Sequence, residues 1–135
     1  MAIARSKLVD LSVTRWYHCL TRCVRQAVLL GEAEGSFDRK SWLEDRIRRL
    51  AEVFAISVGG FAVMDNHLHL LLRVDPKNAQ DWTDEEVARR WGTLFPPRDG
   101  LRRPLPPNRE WIDAKCGDPG WIATIRERLS NLGWF

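Results

Sequence analysis

Hydrophobic and polar positions along this chain change period several times, and each change marks an element. From Val13 to Leu20 the chain reads Val-Thr-Arg-Trp-Tyr-His-Cys-Leu, rich in β-branched and aromatic residues. Alternation puts Thr14, Trp16, His18 and Leu20 on one side and Val13, Arg15, Tyr17 and Cys19 on the other, which predicts a first strand over 13–20. Gln26–Leu30 is a short apolar run closed by Gly31, compatible with a second short strand or an irregular connection. After Ser36, an N-cap residue type, Leu43, Ile47, Leu50 and Phe54 recur at spacings of four, three and four, while Arg39, Lys40, Arg46 and Arg49 fall largely elsewhere. That pattern predicts an amphipathic helix.

Strand character returns over Ala55–Met64, where Gly59-Gly60 suggests a bulge or a close approach of backbone. Asp65-Asn66 supplies turn chemistry, and His67–Val74 follows as a strand stopped by Asp75-Pro76. Two strands joined by so short a turn form an antiparallel hairpin. Thr83-Asp84-Glu85-Glu86 then reads as a capping box opening a helix that carries Val87 and Trp91. Five of the seven prolines fall within Phe95–Asn108 beside Arg98, Arg102 and Arg103, which predicts an extended basic loop over 95–109. Asp118-Pro119 opens a final helix with Trp121, Ile122, Ile125, Leu129 and Leu132 on one face. Trp42, Trp91 and Trp121 fall beside or on these apolar faces, so most of the seven tryptophans are expected in the core.

Composition narrows the setting. A chain of 135 residues is one domain's worth, so a single unit over 1–135 is expected. A net charge of +3 and a pI near 9.0 permit a nucleic-acid partner without demanding one. Cys19, Cys23 and Cys116 include no second close pair that completes a structural zinc site, so they read as reduced thiols. Nowhere is there an apolar run of about 18 residues of the kind that spans a bilayer. A cytoplasmic protein without membrane contact is the expectation.

The candidate chemistry lies in Asp65-Asn66-His67-Leu68-His69. On a strand His67 and His69 share a face, opposite Leu68, Leu70, Leu72 and Val74. Two imidazoles on a rigid strand need only one more donor to hold a divalent ion with open positions, and such an ion polarises a phosphate ester. A bare H-x-H is also what an ordinary strand with two histidines shows.

The surrounding residues add to this. Phe61-Ala-Val-Met-Asp-Asn-His-Leu-His-Leu-Leu-Leu-Arg-Val74 resembles the central strand pair of the insertion-sequence-200-like and REP-associated tyrosine transposases of the HUH nuclease group. Trp16-Tyr17-His18-Cys19-Leu20-Thr21-Arg22 resembles that family's first strand, so the resemblance covers Thr14–Val74 and fades after Pro76. It implies an α+β fold, an antiparallel β-sheet with helices packed on it in the ferredoxin-like arrangement. It also implies a monomer or homodimer that binds single-stranded or hairpin DNA, with His67 and His69 holding Mg²⁺ or Mn²⁺ against the scissile phosphate. In the family a tyrosine on a later helix attacks that phosphate and forms a 5′-phosphotyrosine.

Here the chain departs from the family. Its single tyrosine, Tyr17, lies on the first strand, so nothing after His69 can act as the nucleophile. The family's third metal ligand has no clear counterpart, Glu127 and Asn131 being candidates by chemistry only. Two readings stay open, a chain whose catalytic helix lies beyond Phe135 or a degenerate relative that keeps only the binding half. The unfinished look of Leu129–Phe135 favours the first.

Arg15, Arg22, Arg25 and Arg73 are candidate phosphate contacts, and Trp16 is a candidate base-stacking residue. Arg98, Arg102, Arg103, Arg109 and Trp111 offer a second candidate grip, beside a simpler role as a solvated loop. Two other functions compete: a non-catalytic regulatory DNA- or RNA-binding module on the same fold, and an unrelated metal-dependent hydrolase. The hydrolase is disfavoured, because barrels that carry such sites need about 250 residues.

Overall fold

Three stretches rich in β-branched, aromatic and leucine side chains pair into one antiparallel sheet, of order β1-β3-β2. The strands are β1 (Trp16–Arg22), β2 (Ile56–Val63) and β3 (His67–Val74). A computed structural model describes residues 7–23 and 38–135. Among these the helices are α1 (Arg39–Val53), α2 (Pro76–Asp81), α3 (Asp84–Leu94), α4 (Arg109–Cys116) and α5 (Pro119–Arg128). The described residues are therefore α+β, as the family resemblance implies. Gln26–Leu30 and Ser36 lie outside the described residues.

The described residues group into two compact units. The first comprises the described part of Met1–Glu52 together with Ile56–Val74, and the second Val53–Ala55 together with Asp75–Phe135.

In the first unit β1 begins at Trp16, three residues later than alternation suggests. Asp10 claims the preceding segment, because its carbonyl accepts the Val13 and Thr14 N–H groups and curls the chain into a turn. Thr14 Oγ1 then accepts the Trp16 N–H at 3.1 Å, so extended pairing starts only there. The β2–β3 hairpin turns through Asp65-Asn66, with Met64 N–H donating to the His67 carbonyl at 2.8 Å. A bulge at Gly59 shifts the register between Val58 and Gly60.

The N-cap of α1 is Asp38. Its Oδ1 accepts the N–H groups of Lys40 at 3.0 Å and Ser41 at 3.2 Å, which satisfies two orphan donors of the first turn. Lys40 in turn pairs with Asp65 at 2.7 Å, tying the start of α1 to the hairpin turn. Ile47, Ile56, Leu72 and Val74 are buried, as their positions predict. Trp42 is not a core residue: one position before Leu43, its side chain is turned outward and is 55% exposed.

In the second unit α3, α4 and α5 pack on one another, and α2 packs on α5. Ala79, Val87, Ala88 and Leu129 are fully buried, with Ile122 and Ile125 nearly so. The Thr83 side chain caps α3 by accepting the Glu86 N–H, and Asp118 caps α5 by accepting the Trp121 N–H. Two helices lie where the sequence pattern predicts none. Pro76, read as a strand stop, is also the first residue of α2, where its missing N–H costs nothing. Asn108 accepts the Trp111 N–H and opens α4, so the proline-rich segment ends at Asn108 and Arg109 is helical.

That segment has internal order of its own. The Asp99 side chain accepts the N–H groups of Leu101 and Arg103 and pairs with the Arg103 guanidinium, while Arg98 and Pro104 form a β-bridge. Arg102 adopts a φ of 61°, the left-handed conformation that closes the turn.

Candidate functional site: the histidine face of the sheet

Antiparallel pairing decides which side chains share a face, because directly opposite residues point the same way. Across β1 and β3 the rows are Trp16 with Arg73, His18 with Leu71, Leu20 with His69, and Arg22 with His67. From β2, Ser57, Gly60 and Ala62 join the same face opposite Arg73, Leu71 and His69. The sheet thus gathers all three histidines of the chain with Trp16, Arg22 and Arg73 on one side. Trp16, His18, Leu20, Arg22 and Leu71 are exposed there, and His67 and His69 half-buried.

The imidazoles touch. His18 sits diagonally from His69, with its Nε2 2.8 Å from His69 Nδ1 and the two rings edge to edge, their planes 12° apart and their centroids 5.0 Å apart. His67 meets His69 edge to face, centroids 4.9 Å apart. Asn66 Oδ1 lies 2.6 Å from His67 Nδ1. An amide oxygen only accepts, so His67 Nδ1 donates and the neutral ring keeps its lone pair on Nε2. Among the described residues, no protein group bonds Nε2 of either His67 or His69. Partial withdrawal from water, then the charges of His67, His18 and Arg22, hold the His69 pKa below the usual histidine value.

Trp16 lies across the bulge in β2. A Cβ at Gly59 would sit 2.6 Å from Trp16 Cζ3 and 3.5 Å from Leu71 Cδ2, so only glycine leaves room for the indole against the sheet. The ring remains 47% exposed. A flat, half-exposed indole flanked by arginines is the form of a stacking surface for unpaired bases.

Of the residues singled out from sequence, Trp16, Arg22, Arg73, His67 and His69 come together on this face. Arg15 stands just before β1, where its carbonyl accepts the Val74 N–H at 2.9 Å. Arg25 lies outside the described residues. Tyr17 is on the opposite face, and its hydroxyl donates to the Thr14 carbonyl at 2.8 Å. Asp65 is engaged by Lys40, whereas Asn66 reaches the site through His67.

Within the second candidate grip two of the four arginines are already paired. Arg103 pairs with Asp99, and Arg109 with Glu85 and Asp113. Trp111 packs edge to face on Trp121, with its ring against Gly92 of α3.

What sequence reasoning missed are the contacts of His18 with His69 and of Asn66 with His67. The period-two pattern put His18 beside Trp16, and a glycine pair flagged the bulge, but their relation to His69 and Trp16 needs the register.

As a metal site this face offers the Nε2 lone pair of His67 and, beside it, the imidazole of His69, a donor set that fits an ion only with its other positions filled from outside the described residues. Among the described residues no group of three His, Cys, Asp or Glu is arranged to hold an ion. Imidazole donors favour later transition ions over Mg²⁺, so the donor chemistry suits Mn²⁺ and its heavier neighbours better than Mg²⁺. Cys19, Cys23 and Cys116 are half-buried and form no disulfide among the described residues. No helix of the described residues is long and apolar enough to cross a membrane. No family model, curated protein or solved structure matches the chain.

Proposed function

We propose that this chain is a DNA-binding module of the insertion-sequence-200-like transposase type, which takes single-stranded or hairpin DNA on the histidine face of its sheet. The observation that carries the reading is the convergence of His67, His69, Trp16, Arg22 and Arg73 on one accessible face. Such a face supplies the three things a strand of unpaired DNA needs: cations for phosphates, a ring for a base, and donors for a divalent ion. The ferredoxin-like HUH arrangement is the fold this reading expects, and the β1-β3-β2 antiparallel order is compatible with it.

His67 and His69 would hold the ion through Nε2, and when bound it polarises a phosphate ester. Arg22, opposite His67, is placed to neutralise a phosphate beside that point, and Trp16 to stack the next unpaired base. Strand cleavage is not assigned to this chain. Its single tyrosine faces away from the histidines and is bonded to Thr14, so binding and positioning are what its own residues perform.

A second reading, a regulatory nucleic-acid-binding module without metal, draws on the His18–His69 bond, which already satisfies one ring nitrogen of each partner. Fluorescence anisotropy with a hairpin, an unpaired strand and a duplex of equal length, each with Mn²⁺ or chelator, separates the two. Preference for hairpin or unpaired DNA that strengthens with Mn²⁺ supports the first reading. The same preference indifferent to chelator supports the second. Equal affinity for all three DNAs sinks both.

A further inference from the structure

Resting on the metal reading above, we propose that His18 is the positioning residue for His69: its Nε2 accepts the proton on His69 Nδ1 and leaves the His69 Nε2 lone pair as the donor to a metal.

Three observations carry this. First, the 2.8 Å contact joins Nε2 of one ring to Nδ1 of the other, so one proton lies between them and its owner fixes the tautomer of both. Were His18 the donor, a neutral His69 would carry its proton on Nε2 and have no lone pair to offer there. Second, the other histidine of the pair is held the same way, since Asn66 takes the proton of His67 Nδ1. Both rings on β3 are then anchored through Nδ1 by a side-chain acceptor, and both present Nε2. This is how metal-ligating histidines are oriented generally, by an acceptor on the nitrogen remote from the ion. Third, the ring planes of His18 and His69 lie within 12° of each other, as an in-plane N–H···N bond requires, so the contact is directed and not merely close.

The anchor is built by β pairing. His18 is opposite Leu71 and His69 opposite Leu20, so the two imidazoles meet on the diagonal between two leucines. A first strand shifted by one residue would put Cys19 or Tyr17 on this face and leave His69 without its acceptor.

Two measurements test the proposal. In the metal-free protein, long-range ¹H–¹⁵N imidazole spectra taken well above the ordinary histidine pKa of about 6.5 report which nitrogen carries each proton. His69 is expected as the Nδ1–H tautomer, moving toward the Nε2–H form in His18→Leu. Finding Nε2–H on His69 in the unaltered chain overturns the proposal, whatever the metal does.

The second measurement is Mn²⁺ affinity by electron paramagnetic resonance for the unaltered chain, His18→Leu and His18→Gln, each checked for its fold by circular dichroism. His18→Leu is expected to weaken binding by about 10- to 100-fold, and His18→Gln, whose Oε1 also accepts, to recover most of it. Equal weakening by both variants, or by neither, contradicts a positioning role. If the unaltered chain takes no Mn²⁺, the metal reading fails, and the tautomer spectra alone decide whether His18 orients His69.

Discussion

Trp16 rests on Gly59 so closely that a single added carbon on the glycine would come within 2.6 Å of the indole. Gly60, the next residue, has open space where its Cβ would be. The two glycines therefore play different parts, and only the first shapes the face. Gly59→Val should lift the ring off the sheet and weaken binding of unpaired DNA, whereas Gly60→Ala should leave it nearly unchanged. Trp16→Ala sets the scale, with an expected loss of about 1–3 kcal/mol for one stacked base. Anisotropy titrations read all three, and equal behaviour of the two glycine variants would remove Trp16 from the site.

His69 gives the metal-free chain a pH dependence of definite sign. Its pKa is depressed by partial withdrawal from water and by the charges of His67, His18 and Arg22, so the folded chain binds its proton less readily than the unfolded chain. Such a group contributes stability that is present above the unfolded pKa, about 6.5, and is lost as pH falls through the folded value. Urea denaturation should thus show stability declining as pH drops below about 6.5, with a shallower decline in His69→Asn. Identical slopes for the two chains would show that His69 is not the group responsible.

Arg22 and Arg73 flank the histidine pair and the indole by register, opposite His67 and Trp16. Each phosphate contact on single-stranded DNA adds about 0.7 to the slope of log affinity against log salt. Replacing either arginine by glutamine should lower that slope by about 0.7 and weaken binding without regard to base sequence. Arg103→Gln, in the second unit, is the comparison, and an equal drop there would mean that DNA lies elsewhere.

The fold was legible wherever a local signal was strong enough to act alone. His67–Val74 is recovered to the residue because Asp65-Asn66 and Asp75-Pro76 bracket it, and Thr83 and Asp118 cap the helices they announce. Helix α4 is hidden in the sequence because Asn108 follows a proline-rich run that argues for loop, and helix α2 because Pro76 after Asp75 reads as a strand breaker. The pairing of His67 with His69 was visible from spacing, being two residues apart on one strand. The bond between His18 and His69 was not, because it joins residues 51 apart in sequence through a register that no local pattern specifies. Trp42 misled for a related reason: adjacency to Leu43 on a helix is not membership of its face.

Arg126 holds the second unit together from a nearly buried position. Its Nη1 donates to the Ala79 and Trp82 carbonyls at 2.6 Å each, and its Nη2 pairs with Asp84 at 2.7 Å. The side chain is only 14% exposed, so its loss leaves carbonyls at the end of α2 poorly served. Arg126→Leu should cost about 1.5–3 kcal/mol in urea denaturation. Arg48→Leu, whose pairs with Glu44 and Asp45 are solvent-exposed, should cost under about 1 kcal/mol. Equal costs would mean that the staple is energetically idle.

On the reading proposed above, DNA lies on the histidine face of the sheet. Side-chain NMR of the chain titrated with a short hairpin bearing an unpaired flank addresses it directly, through the Trp16 indole N–H and the imidazole signals of His18, His67 and His69. These four signals are expected to move together in the titration, while the Tyr17 ring on the opposite face and the Trp111 and Trp121 indoles of the second unit stay in place. Saturable binding that shifts Tyr17, Trp111 or Trp121 and leaves the histidines unmoved would contradict it.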